Sequence, residues 1–418
     1  MADRLPRATD ATADVVRTVG VVSGGHFLSH LYLLALPPLF PLLAPAFGVD
    51  TARLGLSVSL VYLALLLFQV PTGGLVDRIG GERVFVGGLL LTGLGTALVS
   101  LATSYVTLLA FAFLTGVGQS AFHPADYALL DAATEHEEGK SFGVHTFAGF
   151  VGFAAAPPLV GALALATDWR TALFAVGAVG VLYGGFAHLT LGDVHRRKLS
   201  AVSTTTAVED RSLRSGLALL RHPVVLGMFV FFVVVTVADT GVQTFTTLFV
   251  VRSLDYSTTV GNTALTAFFA AVAVAVLVGG VLADRYDSYR ILVWSLVCAA
   301  AVLWAGLAVG LATWSLLLVW GGAGFCFGLA LPARDRVTNA LSGAGGTGWS
   351  FGVVYTGLPL GGFLAPALLG FVADRAGPTL AFWLVGGFLF AGAVVAALLV
   401  WASNERTRTD AETSTVEP

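Results

Sequence analysis

Twelve apolar runs, each about twenty residues long, follow one another along this chain with only short polar breaks between them. A run of that length crosses the roughly 30 Å hydrocarbon core of a bilayer as a helix. The runs lie near residues 18–43, 53–75, 83–102, 105–131, 141–166, 170–191, 223–250, 258–282, 289–310, 312–333, 348–372 and 378–401. Of the 418 residues, 56% are hydrophobic and only 11% are charged, with a mean hydropathy of +0.85, against roughly 25% charge in soluble domains. A globular protein of this size cannot bury so much apolar surface, whereas lipid accepts it on every outward face. The expectation is an all-α membrane protein with twelve transmembrane helices.

The polar residues organise the runs. The longest polar stretch, Asp193 to His222, separates the sixth run from the seventh. The domain reading is therefore a tail over 1–17, a six-helix bundle over 18–192, a linker over 193–222, a second bundle over 223–402 and a tail over 403–418. Within the linker, Ser212 to Arg221 could form a short interfacial helix. With the N-terminus inside, 18 of the 22 Lys and Arg fall on one side, and only Arg53, Arg170, Arg252 and Arg375 on the other. Basic residues beside spans stay cytoplasmic, so both termini are expected there, in a multi-pass protein of the cell membrane. The first seventeen residues lack the charged, apolar, small-residue order of a secretory leader. A net charge of −3 gives no reason to expect a nucleic-acid partner. Cys298 and Cys326 both sit in apolar runs and suggest neither a disulfide framework nor a metal site.

The two bundles echo each other. GGLVDRIGGERV at Gly73 to Val84 and GGVLADRYDSYRIL at Gly279 to Leu292 both place Gly-x-x-x-Asp-Arg between apolar runs, with Asp77 and Asp284 207 residues apart. Leu39-Phe40 and Leu248-Phe249, Ser141-Phe142-Gly143 and Ser350-Phe351-Gly352, and Pro157 with Gly161 and Pro366 with Gly370 all recur at an offset of 209. Parallel repeats of six helices, with a site near the midplane between them, are the build of one large transporter class.

From Val16 to Trp401 the chain resembles a major facilitator superfamily transporter, on the strength of Gly73, Asp77, Arg78, Gly80 and Arg83 and their counterparts Gly280, Asp284, Arg285 and Arg290. Asp287, Gly81 and Glu82 depart from that pattern. The resemblance implies that the loop carboxylates hold the cytoplasmic side shut in one state, through nearby Arg and a helix start of the opposite half. A carboxylate at such a helix start gains roughly 0.3–1 kcal/mol. Within the superfamily, Gly24 to Leu43 and Gly116 to Leu130 are similar to the fosmidomycin-resistance-like exporters, with His30 where that branch tends to carry an acid and Ala125-Asp126 where it carries Glu. Gly152-x-x-x-Ala156-Pro157 resembles a degraded drug-antiporter signature, but Gly361, Ala365, Pro366 and Gly370 repeat it, as symmetric packing would.

An ionisable group at mid-membrane costs about 2.5–3.5 kcal/mol on insertion scales, so each is a functional candidate. His26 and His30, four residues apart, share one face of the first helix. Asp239 lies in the seventh helix at the repeat counterpart of His30, and with the two histidines makes a candidate proton site. Gln69, Gln119, His123 and Gln243 are further candidates for lining the cavity, or for interhelical hydrogen bonds. Asp126 in the fourth helix corresponds to Arg334 in the tenth at an offset of 208. A bridge between them, with Asp335 beside it, joins Asp77, Arg78, Arg83, Asp284 and Arg285 as a candidate cytoplasmic gate.

No nucleophile–base pair or His-Glu-x-x-His motif suggests an enzyme, and no cofactor or metal is expected. The sequence favours a monomeric secondary transporter working by rocker-switch alternating access, with a small-molecule substrate and protons as coupling ion. Export of a drug-like amphipathic compound leads, and proton-coupled uptake of a small organic metabolite competes with it.

Overall fold

The computed structural model describes residues 8–134, 138–198, 218–310, 312–343 and 348–414. Most of the linker, and with it most of the interfacial helix considered over Ser212 to Arg221, lies outside the described residues. Among the described residues, twelve helices are long and apolar enough to span a membrane. They are α1 (Ala13–Phe47), α2 (Thr51–Ile79), α3 (Gly81–Val99), α4 (Tyr105–Ala133), α5 (Lys140–Ala166), α6 (Trp169–Gly192), α7 (Pro223–Leu254), α8 (Thr258–Arg285), α9 (Ser288–Val309), α10 (Thr313–Ala340), α11 (Gly352–Ala376) and α12 (Pro378–Ala402). The expected all-α architecture is the one observed. In lipid every backbone polar group must be satisfied within the protein, which is why the apolar runs all resolve as helices.

Three of these spans are broken beside a proline, which has no backbone donor, and in α11 the break falls at Thr356, just before Pro359. In α1 the helix gives way to a short 3₁₀ turn at Pro37–Leu39 before resuming at Phe40. In α4 it breaks at Ser120 and Ala121. Pro124 has no N–H for the Ser120 carbonyl, and the chain restarts with the Ala125 amide donating to the Ala121 carbonyl. Beyond the break, Asp126 lies buried inside the N-terminal bundle.

Helices α1 to α6 pack on one another, as do α7 to α12, and two helix pairs join the halves extensively: α2 with α11, and α5 with α8. The sequence repeat carries α2 onto α8 and α5 onto α11, so the two junctions are one contact seen twice. A seam with approximate two-fold symmetry runs between the bundles. We call its two ends the motif end, where the Asp77 and Asp284 turns lie, and the opposite end. At the opposite end Asp168 accepts hydrogen bonds from the Arg170 and Thr171 amides and the Thr171 hydroxyl. The Thr171 bonds hold this exposed carboxyl below its ordinary range.

Candidate functional site

Two clusters of polar side chains lie inside the membrane-spanning region, one within the N-terminal bundle and one on the seam.

The first gathers four histidines around one carboxylate. His26 Nδ1 of α1 lies 3.0 Å from Asp126 Oδ2 of α4, and His145 Nε2 of α5 lies 3.5 Å from the same oxygen. The rings of His26 and His145 stack with centroids 3.8 Å apart. His30 and His123 flank them, with centroids 4.4 and 5.7 Å from that of His26. Asp126, His145 and His26 are 0%, 1% and 4% exposed, whereas His30 and His123 are half-buried. Gly149 of α5 lets the backbone press on the rings: a Cβ there would lie 2.7 Å from His26 Cδ2 and 2.8 Å from His30 Nδ1. His30 packs against Phe153, which stacks on Phe269 across the seam at 4.8 Å.

The second cluster spans the seam. The Tyr62 hydroxyl of α2 donates to Gln243 Oε1 of α7 at 3.2 Å, and Gln243 Nε2 donates to Asp239 Oδ2 at 2.7 Å. Asp239 Oδ1 has no hydrogen-bond partner. Arg334 of α10 lies within electrostatic reach of Asp239, and also of Tyr127 on α4. Its guanidinium sits 5.1 Å above the Phe232 ring. Its Nε and Nη2 reach Asp335 Oδ1 at 2.9 and 2.8 Å, and the Tyr355 hydroxyl donates to that oxygen at 2.9 Å.

Several expected pairings differ. Asp126 meets His26 and His145 of its own bundle rather than Arg334, while Arg334 is taken by its neighbour Asp335. Asp239 contacts Gln243 and not the histidine cluster. Gln119 is 3% exposed and spent on α1, accepting from the Ser29 hydroxyl and donating to the Ser29 carbonyl. Gln69 is half-buried in α2. Of the loop residues, Asp77, Arg78, Arg83 and Arg285 are exposed, and Asp77 forms no hydrogen bond or ion pair with described residues. Asp284 pairs with Arg336 of its own half, whose Nη1 also donates to the Ala283 carbonyl at 2.7 Å.

The seam is tied instead at the opposite end. The Thr51 and Ala52 amides, at the start of α2, donate to Asp374 Oδ1 and Oδ2 at 3.1 and 2.6 Å. Arg252 Nη1, at the end of α7, donates to the Thr51 hydroxyl at 2.8 Å. Sequence reading missed His145, Tyr62, Asp374 and Arg252 as site residues. For His145 a signal was available: it is an ionisable residue in an apolar run.

Residues 22–263 and 234–417 match the sequence profile of the Major Facilitator Superfamily, and together these two stretches take in nearly the whole chain. The chain belongs to the Major Facilitator Superfamily. It is 29% identical over 165 residues to a probable sulfoacetate transporter of Cupriavidus necator, covering 39% of this chain and 38% of that protein. It is 25% identical over 195 residues to a probable L-galactonate transporter of Escherichia coli, covering 44% and 43%. The chain thus aligns with about two fifths of the length of these relatives. Among solved structures, a bacterial homolog of the human lysosomal transporter Spinster, captured inward-facing and occupied, superposes with a TM-score of 0.72 at 15% identity, over 91% of this chain and 96% of that one. The superfamily is one of membrane transporters, and the twelve spans make this chain a multi-pass membrane protein.

Proposed function

We propose that this transporter moves a small organic anion together with protons, by alternating access about the seam, with Asp239 as proton carrier and Arg334 as anion anchor. The observation that carries the reading is the Tyr62–Gln243–Asp239 chain, which crosses from one bundle to the other within reach of the Arg334 guanidinium. A group that binds a proton on the seam changes its surroundings when the halves rock. His26 is enclosed within a single bundle, so rocking leaves its neighbours in place.

The charges set the stoichiometry. With Asp239 ionised, the Arg334–Asp335 pair and Asp239 sum to one negative charge, which repels an incoming anion. A proton on Asp239 removes that repulsion, so anion and proton bind best together, and with a monoanion the loaded site carries the same charge as the empty one. This couples binding to conformation through differential affinity. The substrates named for the two relatives, sulfoacetate and L-galactonate, are small organic acids and agree in type. The likeness of α1 and α4 to fosmidomycin-resistance-like exporters supports the rival reading, proton-driven export of an amphipathic compound. Proton symport is favoured over it because a cation, Arg334, already stands within electrostatic reach of Asp239.

Basic-residue placement puts the motif end in the cytoplasm with both termini. The bonds at the opposite end then close the outer face, and Asp77, unpaired among the described residues, fits an inward-open state.

Proteoliposomes holding the purified protein decide the matter. An imposed gradient, acidic outside, should drive uptake of radiolabelled sulfoacetate or galactonate above the rate without a gradient. If none of a panel of carboxylates and sulfonates is accumulated while an amphipathic drug is exchanged against protons, the export reading replaces this one.

A further inference from the structure

We infer that His26, Asp126 and His145 form a binding site for one borderline divalent transition-metal ion of the Zn²⁺ type, held within the N-terminal bundle. The three residues offer ligand atoms that all lie within 4.8 Å of one another, and all three are buried. Tetrahedral Zn²⁺ takes His nitrogen and carboxylate oxygen at about 2.0–2.2 Å, which places neighbouring ligand atoms about 3.3 Å apart. The separations from Asp126 Oδ2 to His26 Nδ1 and to His145 Nε2, 3.0 and 3.5 Å, already bracket that spacing. The two imidazoles, stacked with centroids 3.8 Å apart, must turn so that His26 Nδ1 and His145 Nε2 both point at one ion.

The polar atoms of the cluster are left without enough partners by the protein itself. Asp126 Oδ1 and both ring nitrogens of His145 have no hydrogen-bond partner, and neither have His30 Nδ1 and His123 Nδ1 at the cluster's edge. A neutral imidazole carries one donor and one acceptor nitrogen, so His145 buries one of each unmet. Buried polar groups are ordinarily paired. A cation on the Asp126 carboxylate and the two imidazoles answers these needs together.

The donor set also selects the ion. Two imidazoles and one carboxylate, with no thiolate, suit Zn²⁺, Co²⁺ or Ni²⁺ rather than Mg²⁺ or Ca²⁺, which prefer all-oxygen shells. His30 and His123 are half-buried and offer a way in and a fourth ligand. Cargo must be exposed to each side in turn, whereas this trio is enclosed among α1, α4 and α5 of one half. The ion is accordingly a resident that ties those three helices together, and it travels with the bundle when the halves rock.

The test uses full-length protein with any affinity tag removed, in detergent, dialysed against a chelator and then titrated with Co²⁺. Wild type should develop the visible absorption of tetrahedral Co²⁺, saturating near one ion per chain and bleached by Zn²⁺. Asp126→Asn and His145→Gln should each abolish the band, while His188→Gln, a ring more than half exposed and paired with Glu82, should leave it intact. Because wild type alone gives the primary readout, a variant that fails to fold does not shelter the inference. Monodisperse wild type that takes up no Co²⁺ and gains no thermal stability from Zn²⁺ overturns it, leaving the cluster to protons and water. A band that persists in both variants overturns it equally. Neither result depends on which substrate is carried.

Discussion

Asp374, at the end of α11, accepts hydrogen bonds from the Thr51 and Ala52 amides that open α2 in the other half of the protein. A helix start carries unsatisfied N–H groups and a partial positive charge, so a carboxylate there is held by both. Asp50 caps the same helix locally through the Arg53 amide at 2.9 Å, and Asp374 supplies the partner that spans the seam.

Asp374→Ala should therefore shift the conformational equilibrium without unfolding the protein. An exposed carboxylate at a helix start contributes roughly 0.3–1 kcal/mol, a two- to fivefold bias. Spin labels at Arg53→Cys and Arg375→Cys, in a background lacking Cys298 and Cys326, should report a larger population of long distances in the variant. An unchanged distance distribution would show that the latch bears no load.

A neighbouring glycine sets how close α2 and α11 come. A Cβ at Gly55 would lie 2.6 Å from the Pro366 carbonyl oxygen and 3.1 Å from its carbon. Backbone cannot swing aside as a side-chain tip can, and overpacking typically costs about 1–3 kcal/mol. Gly55→Ala should disfavour this state by about tenfold, closing the motif end. Alkylation of Gln69→Cys by a bulky reagent, in the same cysteine-free background, should slow accordingly; equal rates would mean the helices absorb the methyl group locally.

The fold was legible because the bilayer leaves few options: run length gave the helices, and the repeated Asp-Arg turns gave the halves. Side-chain partnerships were less so. Asp126 and Arg334 occupy equivalent positions in the two repeats, but equivalence under a pseudo-two-fold does not bring residues into contact, and Asp126 is buried against His26 and His145 of its own bundle. His145 lies on a different helix from both His26 and Asp126, so no spacing within one helix links it to them; only counting every ionisable residue within the apolar runs would have found it. Asp374 looks in sequence like any acid at a helix end, and its role exists only once the opposite bundle is in place.

Asp239→Asn should separate binding from coupling. The amide keeps the shape and can still bond Gln243, but it cannot take a proton or present a charge to Tyr62 and Arg334, the groups that face it from α2 and α10. Substrate exchange across proteoliposomes at equal pH should persist, while accumulation driven by a pH gradient should fall to the level of exchange alone. Retained gradient-driven accumulation in this variant would move the proton to another residue.

Arg334 is the remaining test of the anion reading. Its Nε and Nη2 are committed to Asp335, and a guanidinium has five N–H donors, so Nη1 is left to meet a carboxylate or sulfonate. Hydrogen bonds to charged groups are worth about 1.5–3 kcal/mol, so Arg334→Gln should raise KM for the anion at least tenfold. Arg334→Lys should fall between the two, because an ammonium restores the charge and loses the planar fork. The same substitutions leave Asp335 short of its partner, so loss of transport alone would be ambiguous. Uptake measured over a range of substrate concentrations resolves it: a KM effect that saturating anion overcomes places the guanidinium on the substrate, whereas a fall in maximal rate at unchanged KM places it in the motion of the bundles.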